Sequence, residues 1–185
     1  MFISQTRQKL DKDYDDLEND IHIGIGTIIE PHAIIYPNVT IGNNCVVATC
    51  AVIKQHTKIG EHSIFGTLSN SDGNVKIGNW TTVQGQCLLG YGTRIGNNCF
   101  IGPCFMSINT KAIGDKNSKF GYPNTTDMPR YQPIVKDNVK IGARVSLMPG
   151  VTIGKYAIID AGSFITKSIS EGAHVRSVGI TASKI

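Results

Sequence analysis

A chain of 185 residues is long enough for one domain or for one short array of repeats. Charged residues make up 17% of it and glycine occurs 20 times, which favours a turn-rich β architecture over a helical one. The net charge of +4 is unevenly placed, because the first twenty residues are acidic, but the basic excess of the remaining chain is dispersed and forms no basic stripe interleaved with aromatic residues. The composition therefore argues against nucleic-acid binding and suits small anionic ligands such as phosphates.

The cysteines and the N-terminus indicate where the protein works. Five cysteines, an odd number, occur without a C-x-x-C motif or a His/Cys cluster, which predicts reduced thiols and a cytoplasmic location. The opening stretch MFISQTRQKLDKDYDD has no apolar signal region, and no later stretch approaches the length of a membrane span. We therefore expect no membrane insertion.

Residues 1–22 precede the regular part of the sequence and are predicted to form a cap. Ile3, Leu10, Tyr14 and Leu17 are spaced seven, four and three apart, as in a short amphipathic helix. Such a helix would cover the open end of a repeat array, where strand edges are otherwise unpaired. A frayed tail is the alternative.

A period of 18 residues dominates the rest of the chain. The dipeptide Ile-Gly begins at residues 23, 41, 59, 77 and 95, and the intermediate sixth places are mostly aliphatic or aromatic. Four residues after each of these isoleucines stands a small residue, which faces the same way because side chains alternate along a strand. Each six-residue unit thus directs one large and one small side chain inward before a corner. Three units close a triangular coil, and about seven coils stack at strand spacing, about 4.8 Å.

Some places in this repeat carry expectations of their own. Glycine after each isoleucine suits a corner, where Cβ crowding and unusual φ angles are costly. Ser71 stands where a large apolar residue should point inward, within TLSNSDGN, so the third coil is predicted to bulge outward there. Cys45, Cys87 and Cys99 belong to the small inward column and need no role beyond packing.

The segments VTIGNNCVVATCAVIKQHTKIGEHSIFG and VKIGARVSLMPGVTIGKYAIIDAGSFIT resemble the hexapeptide-repeat acyltransferases. The resemblance covers roughly residues 23–180 and leaves 181–185 as a C-terminal tail. It implies an all-β fold, a left-handed parallel β-helix. It also implies a homotrimer with an acyl-CoA-dependent active site in the groove between neighbouring subunits.

The repeat stops after Met106 and resumes near Val135, so an excursion loop is predicted at about 107–134. The stretch CFIGPCFMSINTKAIG…PRYQPIVKDNVKIGARV is most similar to N-acetyltransferases that act on dTDP- or UDP-linked 3-amino-deoxyhexoses. The resemblance places Asn109 near the reacting amine, as the catalytic residue, although Ile108 and Pro133 depart from the family pattern. Ile113-Gly114 lies 18 residues after Ile95-Gly96, which would extend the coil slightly. The predicted substrate-binding residues are Lys111, Arg130, Tyr131 and Gln132.

The coils after the loop, IGARVSLMPGVTIGKYAIIDAGSFITKSI, resemble those along which the pantetheine arm of coenzyme A lies. The resemblance implies cofactor contacts from the backbone amides near Ala143 and Ala161, and from Lys155 and Lys184 to phosphates. The terminal VGITASKI departs from the G-x-P-A-K of the family at Thr181 and Ser183, so no adenine contact is predicted there.

Histidines bear on which group is acetylated. An alcohol needs a strong base, usually histidine, whereas an amine is partly neutral already and attacks with little help. His32, His56 and His62 share the fourth place of their hexads on three different faces, and residues 95–173 contain no histidine. The sequence therefore predicts an acetyl-CoA-dependent N-acetyltransferase for a nucleotide-linked amino sugar in surface-polysaccharide biosynthesis. O-acetylation of a sugar or small molecule, with His62 or His56 as base, is the main alternative.

Two further alternatives remain. The solenoid also resembles the γ-class carbonic anhydrases, which hold zinc through three histidines at a subunit interface. The scattered histidines of this chain form no such set, so no metal is expected. A purely structural solenoid is the other alternative.

Overall fold

The computed structural model describes residues 2–3, 20–110 and 131–177. All regular structure within these ranges is β-strand, in segments of two residues. Successive strands pass through three sheets, here called A, B and C, so that each coil gives one strand to each sheet. Strands one coil apart pair in parallel and in register, as Ile41 does with Ile59.

Each sheet runs the length of the solenoid. In pairing order, sheet A contains β1 Phe2–Ile3, β4 Ile34–Ile35, β7 Val52–Ile53, β10 Asn70–Ser71, β13 Leu88–Leu89, β16 Met106–Ser107, β19 Ser146–Leu147 and β22 Phe164–Ile165. Sheet B contains β2 His22–Ile23, β5 Thr40–Ile41, β8 Lys58–Ile59, β11 Lys76–Ile77, β14 Arg94–Ile95, β17 Ile134–Val135 and β20 Thr152–Ile153. Sheet C contains β3 Ile28–Ile29, β6 Val46–Val47, β9 Ile64–Phe65, β12 Thr82–Val83, β15 Phe100–Ile101, β18 Lys140–Ile141, β21 Ile158–Ile159 and β23 His174–Val175.

This topology confirms the predicted all-β, left-handed parallel β-helix of about seven coils. Val135 pairs with Ile95, so the returning chain continues the coil above β14. Ile113-Gly114, which the spacing predicts to extend the coil before the excursion, lies outside the described residues. Over the ranges given above, no helix long and apolar enough to cross a membrane occurs.

The two inward columns form the core, as the repeat predicts. Large aliphatic and aromatic side chains such as Ile53, Phe65 and Ile101 are fully buried, and Cys45 and Cys87 are at most 2% exposed. Small hydroxyl residues link successive coils: Ser63 Oγ donates to the Gly78 carbonyl at 2.9 Å and accepts the N–H of Thr81 at 3.0 Å. Buried polar atoms in this column are thus satisfied by the neighbouring coil.

Four residues form each corner between strands. The B–C corners are 24–27, 42–45, 60–63, 78–81, 96–99, 136–139 and 154–157; the C–A corners are 30–33, 48–51, 66–69, 84–87, 102–105, 142–145 and 160–163; the regular A–B corners are 36–39, 54–57, 72–75, 90–93 and 148–151. The third residue of almost every corner has a positive φ, such as 55° at His62 and 56° at Trp80. The predicted placement of His32, His56 and His62 on three different faces is confirmed, because each lies at a different kind of corner.

The glycine that follows the isoleucine serves close approach, and the expected unusual φ at that place is wrong. Gly78 begins its corner without a positive φ. A Cβ there would lie 2.6 Å from the carbonyl carbon of Gly96 and 2.7 Å from the nitrogen of Asn97. The backbone of the next coil therefore requires glycine at this place.

The predicted outward bulge at Ser71 is also wrong. Strand β10 pairs in register with both β7 and β13, and Ser71 is fully buried. Its Oγ lies 3.0 Å from Thr57 Oγ1 and accepts the N–H of Lys54 at 3.1 Å. A serine fits among aliphatic residues because these partners satisfy its hydroxyl. The turn residues that follow Ser71 form the corner 72–75, in which both Gly73 and Asn74 have a positive φ.

At the N-terminal end, β1 pairs in parallel with β4 and adds a strand to sheet A. Ile3 thus lies in a strand and not in the predicted helix. Residues 4–19, which would carry the rest of that cap, and the tail 181–185 lie outside the described residues, so the cap stays a prediction.

Candidate active site

The excursion leaves and re-enters the solenoid at a single A–B corner. Strand β16 before it pairs with β13 and β19 in sheet A, and strand β17 after it pairs with β14 and β20 in sheet B. Ser107 and Val135 are 28 residues apart, where a regular unit needs six. The inserted chain is therefore concentrated at one corner, between coils that keep their register.

Asn109 lies at the base of this excursion. It follows Tyr91 by 18 residues and takes the equivalent place one coil above it. Its side chain is half-buried, and Nδ2 donates a hydrogen bond to the Tyr91 carbonyl at 3.2 Å. Within the described ranges, Oδ1 has no donor. The amide is thus anchored by its nitrogen and presents an oxygen that can accept a hydrogen bond.

The returning chain passes over the same corner. Gln132 lies on Gly92: a Cβ on Gly92 would be 2.5 Å from Gln132 Cγ and 3.0 Å from its Nε2. The Tyr131 carbonyl accepts the N–H of Gly150 in the coil above at 2.8 Å. The structure therefore brings Asn109, Tyr131 and Gln132 to one corner.

Arg94 also belongs to this corner, although nothing in the sequence distinguishes it from the other outward residues of sheet B. Its Nη1 donates to the Gly92 carbonyl at 2.6 Å and to the Asn74 carbonyl one coil below. These contacts hold a permanent positive charge beside the corner. They cross between coils, so a linear pattern does not reveal them.

Three of the predicted site residues, Lys111, Arg130 and Lys184, lie outside the described residues. Their predicted contacts with substrate and with coenzyme A phosphates remain predictions.

Ala143 and Ala161 lie on successive coils at the C–A corner, and Gly162 N–H donates to the Ala143 carbonyl at 2.8 Å. The N–H groups of both alanines have no acceptor among the residues that the structure describes. Beside them, sheet C carries a shallow depression of about 260 Å³, lined by Phe100, Lys140, Ile158 and others. Small side chains, unpaired amides and an apolar floor fit an extended amide-containing chain such as pantetheine.

Lys155 is not brought together with these alanines, because it lies at the B–C corner, across sheet C from them. Its Nζ is 3.3 Å from Asp137 Oδ2. The pKa of Asp137 is lowered, first by the hydrogen bond from the Asn97 N–H and then by Lys155. Lys155 thus has a structural partner in this state.

The histidines and cysteines offer few candidates for catalysis. His62 stacks on Trp80 with ring centroids 4.0 Å apart at the B–C corner, whereas His56 lies at the A–B corner two coils below Gly92. Burial raises the pKa of the Cys87 and Cys99 thiols, which disfavours a thiolate nucleophile. No group of three metal-ligating side chains comes together within the described part of the chain.

A triangular parallel solenoid with an aliphatic residue at every sixth place and one long excursion defines the class of hexapeptide-repeat proteins. The chain belongs to the family described as GMPPB C-terminal domain, which matches residues 16–120. Residues 132–167 match the family described as bacterial transferase hexapeptide (six repeats). The interval between the two matches falls in the excursion.

Sequence relatives include the bifunctional protein GlmU of an Exiguobacterium species, 28% identical over 178 residues, which cover 83% of this chain and 38% of the relative. GlmU of Listeria welshimeri is 26% identical over 178 residues, covering 85% of this chain and 38% of that protein. The chain thus spans little more than a third of the length of these curated relatives.

Solved structures share the fold. The polySia specific acetyltransferase NeuO matches with a TM-score of 0.53 and 18% identity, over 84% of this chain and 75% of that chain. A point mutant of AntD, an N-acyltransferase from Bacillus cereus in complex with dTDP and coenzyme A, matches with a TM-score of 0.52 and 18% identity, over 86% of this chain and 85% of that chain.

Proposed function

We propose that this protein is an acetyl-CoA-dependent N-acetyltransferase that acts on a nucleotide-linked amino sugar in surface-polysaccharide biosynthesis. The observation that carries the proposal is the amide of Asn109, anchored to the Tyr91 carbonyl at the base of the excursion with its oxygen unpartnered among the described residues. His56 is the nearest histidine along this corner column, two coils below Gly92, about 10 Å at strand spacing. The corner therefore suits a nucleophile that needs orientation more than it needs a base.

In the proposed reaction, the substrate amine donates one N–H to Asn109 Oδ1, which directs its lone pair at the thioester carbonyl. The new C–N bond forms as the C–S bond breaks, and the amine proton balances the departing thiolate to give the amide and free coenzyme A. The small C–A corner residues Ala143 and Ala161 would receive the pantetheine arm through their unpaired N–H groups. Arg94 supplies positive charge for a substrate that carries phosphates.

Several observations support this substrate class without defining it. AntD, whose fold is similar, is an N-acyltransferase in complex with dTDP and coenzyme A. The loop sequence resembles enzymes for dTDP- or UDP-linked 3-amino-deoxyhexoses. All five cysteines are free thiols, which suits a cytoplasmic reaction.

The proposed site needs more than one copy of the chain. The acceptor corner, A–B, and the coenzyme A corner, C–A, lie at opposite edges of sheet A, so one chain does not bring them together. Exposed apolar side chains lie on the outer faces of sheets A and C, among them Phe164 at 63% and Phe100 at 44% exposure. We therefore propose a homotrimer with its active sites between subunits.

Light scattering tests the assembly. We expect a molar mass of about 60 kDa, three times the 20.0 kDa of one chain. Asn109→Ala chains and Ala161→Arg chains, each inactive alone, should regain activity when they are mixed and reassembled. Each mixed trimer contains one interface in which the intact A–B corner of an Ala161→Arg chain meets the intact C–A corner of an Asn109→Ala chain. A chain that is monomeric while fully active would contradict the proposal.

O-acetylation remains the second candidate, because His56 shares the A–B corner with the excursion. The test is coenzyme A release with dTDP- and UDP-linked amino sugars, matched hydroxyl sugars and serine as acceptors. We expect turnover only with an amino sugar. Asn109→Ala should lower kcat/KM on the order of 100-fold, while His56→Ala and His62→Ala stay within about threefold of wild type. Turnover confined to hydroxyl sugars and lost in His56→Ala would replace the proposal with O-acetylation.

A further inference from the structure

Two serines interrupt the aliphatic inner column of sheet A. Ile35, Ile53, Leu89 and Leu147 occupy this column, but Ser71 and Ser107 stand at two of its places. Each serine faces a buried threonine from the A–B corner of the coil below: Thr57 at 3.0 Å from Ser71, and Thr93 at 2.7 Å from Ser107. All four side chains are at most 2% exposed. A buried hydroxyl pair is costly unless it is fully hydrogen-bonded, so its partners indicate what it holds in place.

The upper pair, Thr93 with Ser107, is hydrogen-bonded to Gly90, the residue that begins the A–B corner 90–93. Thr93 Oγ1 lies 2.7 Å from the Gly90 carbonyl, which accepts but cannot donate, so the threonine hydroxyl donates to it. The Ser107 hydroxyl must then donate to Thr93 Oγ1. Ser107 Oγ in turn accepts the N–H of Gly90 at 3.0 Å. Both backbone groups of Gly90 are thus bound to this one pair.

Gly90 is followed directly by Tyr91, whose carbonyl accepts the hydrogen bond from Asn109 Nδ2. Ser107 itself is the last residue of β16, two residues before Asn109. The pair therefore fixes Asn109 from two sides: through the Tyr91 carbonyl that binds its amide and through the strand from which it emerges.

We propose that the Ser107–Thr93 pair is a positioning device for Asn109, in addition to its role in packing. The inference rests on the proposed function, since it assigns Asn109 to the orientation of the substrate amine. Neither hydroxyl touches substrate, because both are buried in the core. Losing the pair should misplace the Asn109 amide without removing it.

The lower pair, Thr57 with Ser71, is a control built into the same chain. It has the same residue types, the same burial and an equivalent bond, from the Lys54 N–H to Ser71 Oγ at 3.1 Å. It lies two coils below, at the corner 54–57 that also carries His56, and no excursion starts there. Removing either hydroxyl pair should have a similar effect on stability, whereas only the upper pair supports Asn109.

The experiment compares Thr93→Val with Thr57→Val, which remove a hydroxyl at nearly constant shape. We expect Thr93→Val to lower kcat for the amine substrate on the order of 10- to 100-fold, with KM for acetyl-CoA within about twofold of wild type. Thr57→Val should retain the kcat of wild type, although its Tm should fall by about as much as the Tm of Thr93→Val. Thr93→Ser, which keeps the hydroxyl, should restore kcat to within about threefold. Ser107→Ala and Ser71→Ala form a second matched pair should either valine variant fail to fold.

A readout without turnover separates this inference from the proposed function. The side-chain amide signals of Asn109 in a ¹⁵N-labelled protein, assigned through Asn109→Ala, should shift in Thr93→Val and stay in place in Thr57→Val. Equal kcat and equal spectra for the two valine variants would overturn the inference while leaving the function intact. An Asn109→Ala protein with full activity would instead overturn the role of Asn109. Loss of kcat in Thr57→Val alone would overturn the inference and point to the corner of His56.

Discussion

The B–C and A–B corners of the solenoid are built under different constraints. Glycine begins the B–C corner in every described coil except at Lys136. The next place carries a ladder of side-chain oxygens: Asn79 Oδ1 accepts the N–H of Glu61, and Asn97 Oδ1 accepts the N–H of Asn79. A B–C corner of this kind therefore has a backbone N–H that is bound by a side chain of the coil above it, so the residue types at its first two places are constrained.

The A–B corner has no such uniform device. Its first place varies from the large side chains of Tyr36, Lys54 and Met148 to Gly90. An added Cβ at Gly90 would collide with the Ser107 carbonyl oxygen, so close approach is required at Gly90 and not in every coil. A corner of this kind tolerates an insertion of chain because its neighbours keep their strand register on both sides, as β13 and β19 do around β16. The excursion therefore occupies a corner that lacks the uniform glycine of the B–C corner.

The difference between the corners predicts its largest effect on stability for a methyl group added at the first place of the B–C corner. Gly78→Ala places a Cβ 2.6 Å from the carbonyl carbon of Gly96 and 2.7 Å from the nitrogen of Asn97, and these backbone atoms cannot move aside as the end of a flexible side chain can. We expect the free energy of unfolding to fall by about 2–3 kcal/mol, measured by urea denaturation.

Gly85→Ala is the matched control. It also lacks a positive φ, but the nearest atom to its added Cβ is the Thr67 carbonyl oxygen at 3.1 Å, and the next lie at 4.0 Å. Its free energy of unfolding should fall by less than about 1 kcal/mol. Equal losses in the two variants would show that close approach of the coils does not distinguish the B–C corner.

The smaller effect concerns the acid stability of the same corner. The folded-state pKa of Asp137 is lowered, chiefly by the Asn97 N–H and then by Lys155, so its carboxylate stabilises the folded state above its unfolded pKa, near 3.8. That stability is lost as the pH falls through the folded pKa, below 3.8. Asp137→Asn should therefore lose less free energy of unfolding than wild type between about pH 6 and pH 2.5, by under about 1 kcal/mol for this partly exposed group. Parallel pH profiles of the two proteins would contradict the assigned cause.

Much of the architecture follows from the sequence because inward side chains recur at a fixed local spacing. Ile23, Ile41 and Ile59 identify the coil length without reference to any distant contact, and the break after Met106 shows where the repeat is interrupted. The spacing of Asn109 from Tyr91 likewise places it one coil above that residue. The family resemblance added its suggested role, which remains a proposal.

How the corners are held, and which residues meet there, became apparent only in three dimensions. The sequence around Ser71 is typical of a turn, yet Ser71 lies inside the core because its hydroxyl forms a hydrogen bond with the hydroxyl of Thr57. Arg94 reads as an outward strand residue, yet its guanidinium binds the carbonyls of the A–B corner. The repeat period determines which side chains point inward, whereas hydrogen bonds between coils depend on the shape and reach of individual side chains, which a periodic pattern does not encode.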